Sequence, residues 1–214
     1  QAKAPHDWIR APIKFSCDHC ERERTKTAKN KAGKPSAYEP GQCVGIDVFD
    51  LKDALGNTHY FLMCVCMTTC FIQVYHVGEA KKGVSSGSPT SKACCQAFNK
   101  VWVSIFGEPS RIICDRGLHN QGYFAKWCEA NYIALATIAT ARPDQLGRVE
   151  RYNQTFKSVA RKTIRETYAV GREDMEMLAA QTCPIINDYG RFKGFAPSQW
   201  MLGKLPRRMG SNDE

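Results

Sequence analysis

"VGIDVF", residues 44–49, reads as the middle of a buried β-strand with a carboxylate set into it. Valine, isoleucine and phenylalanine suit a pleated, covered surface, and the apolar run extends back to Cys43. Asp47 does not suit it, because a buried carboxylate is costly unless something holds its charge. Asp50 lies three residues further on, and an odd spacing puts the two acids on opposite faces of a strand. Only one can join a common site. Asp47, inside the strand, is the choice, with Asp50 as a strand-end or turn residue.

A second short buried strand, "RIICD" at 111–115, closes on Asp115 just before the turn "RGLHN". In open α/β sheets the carboxyl ends of strands are where ligands bind. A third acid, Glu150, stands between Arg148 and Arg151 in "DQLGRVERYNQTF", residues 144–156, which opens a long helix to about residue 169. At 100° per residue, Val149, Tyr152, Phe156, Val159 and Thr163 share the stripe expected to face the core. Glu150, Gln154, Lys157 and Arg161 align on another face. That line is either a solvated surface with Glu150 in a weak ion pair, or a carboxylate followed by a basic track, as suits a place where a metal meets a phosphodiester.

Between these points the chain alternates clearly. Residues 21–41 are polar, basic and free of large aliphatics, as in a linker. A strand at 43–49 is followed by a turn at Asp53–Asn57, then strands at about 58–66 and 69–77 in an antiparallel meander. Pro89 is placed to start a helix with Cys94, Phe98, Val101, Trp102, Ile105 and Phe106 inward, ended by Gly107. After Asp115 come a short helix with Phe124, Trp127 and Cys128, a strand over Ile133–Ala139, the long helix, and a helix at 172–189 kinked at Pro184. The order β-β-β-α-β-α-β-α-α predicts an α/β fold with a mixed sheet of about five strands, meander first, and helices on both faces.

The 214 residues suffice for one full domain with a sizeable core, and 43% apolar and 10% aromatic content belong to a folded protein. A net charge of +9 and a pI near 9.0 point toward a polyanion. Residues 1–25 carry no signal sequence. Tyr60–Val77 is uncharged, but its β-branched and aromatic content and its Thr68, Thr69, Gln73 and His76 fit two strands better than a membrane span. The 11 cysteines sit largely in apolar patterns, among them Cys64, Cys66, Cys70, Cys94, Cys95, Cys114 and Cys128. They read as buried thiols in a reducing, intracellular setting. The sequon at Asn153 falls inside the helix and is read as accidental.

Taken together these motifs resemble the integrase catalytic core of LTR retrotransposons and retroviruses, of the D…D-x(about 35)-E type in a ribonuclease-H-like fold. "GIDVF" with Asp47, "IICDRG" with Asp115 and "RPDQLGRVERYNQTF" with Glu150 carry the likeness. Pro143, Gln145, Gly147, Glu150, Arg151 and Asn153 match the family's P-x-x-x-G-x-x-E-R-x-N stretch. Gly194, Pro197, Gly203, Pro206 and Arg207 match the gypsy-type ending. The chain departs from the pattern in having 34 residues between Asp115 and Glu150, a shortening expected within 118–135. It also has "GLHNQGYF" after Asp115, where His119 reads equally as a turn residue or a DNA contact. "DWIRAPIKFSCDHCERERTK" looks like the close of the family's His-His-Cys-Cys zinc domain. Cys17 and Cys20 supply half a tetrahedral site, His6 and His19 are not spaced to complete it, and zinc is expected only with histidines from further upstream. The chain reads as a piece cut from a longer protein: residues 1–40 a zinc-domain remnant and linker, 41–203 the catalytic core, 204–214 the start of a C-terminal linker.

The resemblance implies DNA integration: trimming of the element's ends by water, then strand transfer by the resulting 3′-hydroxyl. Asp47 would bridge two Mg²⁺ (or Mn²⁺) ions, with Asp115 and Glu150 each holding one. Lys157, Arg161, Asn153, Gln154 and Asn120 would contact DNA. It further implies a homo-oligomer acting in the nucleus. The competing readings are a decayed integrase kept for nucleic-acid binding, and a ribonuclease-H-type nuclease. Survival of all three acids argues against the first, and the integrase-like ends against the second.

Overall fold

The computed structural model describes residues 38–83, 89–115, 117, 122–137 and 143–204, with 143–146 described for backbone alone. Five strands form one mixed sheet: β1 (Cys43–Lys52), β2 (Thr58–Cys66), β3 (Ile72–Ala80), β4 (Arg111–Cys114) and β5 (Ala134–Thr137). The spatial order is β3-β2-β1-β4-β5. β1, β2 and β3 pair antiparallel, whereas β4 runs parallel to β1 and β5 parallel to β4. This is the predicted mixed sheet with the meander first.

Tyr60–Val77 forms β2, a tight connection and most of β3. The third strand starts at Ile72 rather than 69, because Cys70 adopts a left-handed φ of 63° and closes a turn through Cys70 N–H to Cys66 O and Cys66 N–H to Phe71 O. Among the described residues no helix is long and apolar enough to cross a membrane.

Helices cover both faces. On one lie α1 (Ser91–Phe106) and α2 (Tyr123–Ala130), burying Cys95, Phe98, Trp102, Phe124 and Cys128 against Val44, Ile46, Leu62 and Ile112. Helix α1 is π-helical over Asn99–Val103. That wider turn rotates the residues after it, so Ile105, predicted inward, is 58% exposed.

On the other face lie α3 (Pro143–Thr167) and α4 (Gly171–Tyr189), joined near the carboxyl end by a short α5 (Pro197–Leu202). Phe49, Phe61 and Phe156 meet there at 5.4–6.4 Å between ring centroids. Helix α4 runs through Pro184 as one continuous helix. The inward stripe of α3 is Val149, Asn153, Phe156, Ala160 and Ile164, turned by about one residue from the predicted one. Hydrophobicity had selected Tyr152 over Asn153, but the polar residue takes the inner position because its partner is buried too. All nine described cysteines are free and buried.

β3 is an edge strand, and α4 covers its start. Asn187, 4% exposed, accepts the Ile72 N–H at 2.8 Å and donates to the Ile72 carbonyl at 2.9 Å. Asn187→Ala strands both backbone groups, and each buried unsatisfied group costs about 1–3 kcal/mol. Urea denaturation should therefore show a loss of about 2–4 kcal/mol; a loss below about 0.5 kcal/mol would mean that water reaches Ile72 freely.

Candidate active site

The parallel pairing of β1 and β4 sets the first two acids. Gly45 lies opposite Ile113, and two residues beyond each lie Asp47, midway along β1, and Asp115, just past the carboxyl end of β4. Alternation along each strand turns both toward the α3 face, since Cys43, Phe49 and Ile113 pack in that core while Val44, Ile46 and Ile112 pack in the other.

Helix α3 supplies the third acid, and Gly45 is the reason it can. A Cβ at Gly45 would overlap the Val149 Cγ2 methyl and press on Met67 Sδ. The missing side chain lets Val149 sit directly on β1, which carries the next residue, Glu150, toward Asp47. The start of the helix is held from the same side. The Arg148 guanidinium donates to the Met67 carbonyl and lies over the Phe192 ring.

Asp47 is tightly positioned. Its Oδ1 accepts the Val48 N–H at 2.9 Å, and its Oδ2 accepts Asn153 Nδ2 at 2.5 Å. Burial, then the negative charge of Asp115 and to a lesser degree that of Glu150, outweigh these hydrogen bonds and push its carboxyl up to about 6. Asp115 Oδ1 accepts the Gly117 N–H at 3.0 Å, closing the turn after β4. Among the described residues Glu150 is exposed and makes no ion pair. The three carboxylates stand further apart than the 4.8 Å within which a tight ligand cluster closes.

The predicted DNA-facing residues divide. Gln154 and Arg161 are exposed on the Glu150 side of α3. Asn153 is 6% exposed, and its amide is spent on Asp47. Its Oδ1 has no hydrogen-bond partner among the described residues. Lys157 is 24% exposed in its side chain, pairs with Asp50 at 3.5 Å and lies over the Phe49 ring at 5.4 Å; its charge is already engaged. Asn120 and His119, and the proposed zinc ligands Cys17 and Cys20 with His6 and His19, lie outside the described residues. Periodicity could not single out Asn153, because nothing local marks a polar residue as buried. Its pairing with Asp47 spans 106 positions.

The donor set fits a hard divalent cation. Its three members offer only oxygen, and although they do not close into one cluster, Asp47 is driven toward protonation by burial and by its two neighbours, a repulsion that a cation would offset.

No protein-family profile and no curated protein sequence matches the chain. Solved structures do. The chain is similar to the HTLV-2 integrase catalytic core domain in complex with magnesium, in a trimeric form (19% identity, TM-score 0.59, covering 76% of this chain and 97% of that one). The dimeric form matches comparably (19% identity, TM-score 0.61, covering 78% and 99%). A chain of the simian T-cell lymphotropic virus intasome in complex with PP2A regulatory subunit B56 gamma matches at 17% identity and TM-score 0.65, covering 91% of this chain and 68% of that one. The fold is therefore the ribonuclease-H-like fold of retroviral integrase catalytic cores.

Two outcomes follow from this geometry. Because the folded-state pKa of Asp47 is raised, its carboxyl favours folding below about pH 4 and opposes it as pH rises through about 6. In EDTA at pH 7.5, Asp47→Asn should raise stability by about 1–2 kcal/mol, allowing for partial solvent contact. The gain should vanish below pH 4; an equal gain at both pH values would exclude charge as the cause. Gly45→Ala should cost about 1–3 kcal/mol by overpacking, and Val149→Ala in the same chain should recover much of it. Strictly additive losses would show that the two residues do not meet.

Proposed function

We propose that the chain is a metal-dependent polynucleotidyl transferase that processes and joins the ends of a retroelement's DNA, with Asp47, Asp115 and Glu150 as its acids. The observation that carries this reading is Asp47 beside Asp115 on adjacent parallel strands, with Glu150 near enough for its charge to help push the Asp47 carboxyl up to about 6. Residues 41–203 would be the catalytic core, with 1–40 and 204–214 as flanking segments. The three motifs and the carboxyl-terminal pattern Gly194, Pro197, Gly203, Pro206 and Arg207 support a gypsy-like element.

Magnesium or manganese, as two ions, would stabilise charge on the attacking and leaving oxygens of an in-line phosphoryl displacement. The chain's own residues do the rest. Val48 N–H and Asn153 hold the Asp47 carboxylate in one orientation before any ligand arrives, so no ordering is left for the reaction itself. The Gly117 N–H does the same for Asp115. Arg151 and Arg161, both exposed on α3, offer phosphate contacts beside Glu150 that position DNA without reading its sequence. Lys157 would help indirectly, by fixing α3 to β1 through Asp50 and Phe49. Attack by water trims the DNA end and attack by the 3′-hydroxyl joins it to a target, so no covalent enzyme intermediate is required. The dimeric and trimeric forms and the intasome among the similar structures support a homo-oligomer on DNA, acting where target DNA is, in the nucleus.

Strand transfer on oligonucleotides bearing the element's ends, with Mg²⁺ or Mn²⁺, tests the reading. Glu150→Gln should lower turnover by at least about 100-fold, as one metal anchor is lost. DNA binding in EDTA should stay the same or tighten slightly, because one repulsion with the phosphates is gone. Near-normal turnover in Glu150→Gln would sink the assignment. Tight DNA binding with no turnover in the parent chain would favour the decayed, binding-only protein.

A further inference from the structure

A second constellation of donors lies on β2 and β3, with His59 opposite Leu51, four residues beyond Asp47 on β1. β2 and β3 pair with His59 opposite Glu79 and Phe61 opposite His76, and the register shifts between Tyr60 and Phe61. Val77 is the extra residue. Without that bulge His76 and Glu79, three apart, would point to opposite faces; with it both turn to the side of His59. His59 Nδ1 then lies 3.1 Å from His76 Nε2 and 3.7 Å from Glu79 Oε2, and the three donor atoms lie within 4.8 Å of one another. Two metal-ligand bonds of about 2.0–2.1 Å at a tetrahedral angle put their donor atoms about 3.3 Å apart. The observed separations bracket that value.

The protons make a second, separate argument. Asp53, 5% exposed, accepts from His59 Nε2 at 3.3 Å. Asn57 and Gly171 also donate to this carboxylate, as an ionised acceptor requires. With His59 protonated on Nε2, its Nδ1 carries a lone pair, and the 3.1 Å contact must be a hydrogen bond from His76 Nε2–H. His76 Nδ1 is then a bare acceptor. It is buried and has no hydrogen-bond partner among the described residues, while the Glu176 carboxylate stands 3.7 Å away. Two acceptors face each other, which is unfavourable.

We propose that His59 Nδ1, His76 Nε2 and Glu79 bind a zinc-class divalent metal ion, with water completing the tetrahedron. Binding removes the shared proton from between the rings. The His76 proton moves to Nδ1, where it faces Glu176, and the orphaned acceptor becomes a donor directed at a carboxylate. Each histidine then has a carboxylate behind it, Asp53 for His59 and Glu176 for His76, the usual support of imidazole ligands. Imidazole nitrogen selects zinc or another first-row ion over magnesium. The ion ties β2 and β3 to the turn after β1 and to α4, whose Gly171 N–H and Glu176 belong to the same network. It is separate from the ions proposed at Asp47.

Zinc chloride titrated calorimetrically into the chain carrying Cys17→Ser and Cys20→Ser, with thermal midpoints measured alongside, tests this. One site of micromolar affinity or tighter is expected, with a midpoint that rises with zinc concentration. Glu79→Gln changes an exposed side chain and should leave the metal-free midpoint unchanged while weakening zinc at least about tenfold. His76→Gln should abolish binding, and Asp47→Asn should leave it unaltered. The proposal is overturned if Glu79→Gln retains the parent's zinc affinity, if Asp47→Asn removes the site, or if the parent chain takes up no zinc.

Discussion

Helix α3 rests on β1 at the one point where the strand has no side chain, and the placement of Glu150 depends on that contact. Gly45 admits Val149, and the adjacent residue is carried toward Asp47. One turn on, Asn153 donates to Asp47; two turns on, Phe156 fills the aromatic cluster with Phe49 and Phe61. A single helix thus seals one core and carries one acid to two others. Any tilt of α3 is felt at both, because packed interiors have little slack.

The acids work against stability. Asp47 is held in a place where its charge is unfavourable, and the fold tolerates this because both sheet faces are densely covered. The site lies where β4 ends beside the middle of β1, with Asp47 and Asp115 part-buried there. Hydrogen bonds from Val48 and Asn153 fix orientation without neutralising charge. Such an arrangement leaves negative charge that a cation would offset.

At the other end of the meander the polar groups are arranged differently. Asp53 has five hydrogen-bond donors around it, His59 among them, and is held at about 2, so it acts as a fixed anion beneath His59. The exposed edge of β3 is managed by Asn187, which imitates a neighbouring strand at Ile72, and by the bulge at Val77, which breaks the regular edge. The same bulge gathers His59, His76 and Glu79.

Much of the architecture was legible in the residues themselves. The strand at Cys43, the meander over 58–77, the Asp115 strand end and the two long helices follow from local periodicity and turn residues, which depend on neighbours in the chain. Asp47 and Asp115 stood out as carboxylates within or closing apolar runs, and Glu150 as a carboxylate between arginines. Tertiary structure alone decided which edge of α3 faces inward, since burying Asn153 rather than Tyr152 depends on a partner 106 residues away. It also decided that Lys157 is engaged by Asp50 and Phe49 rather than free, and that α1 takes a π-turn that expels Ile105. The histidine cluster was invisible for the same reason. His59, His76 and Glu79 meet only through strand pairing and a one-residue bulge, and periodicity along a chain carries no information about which strand lies beside it or in what register.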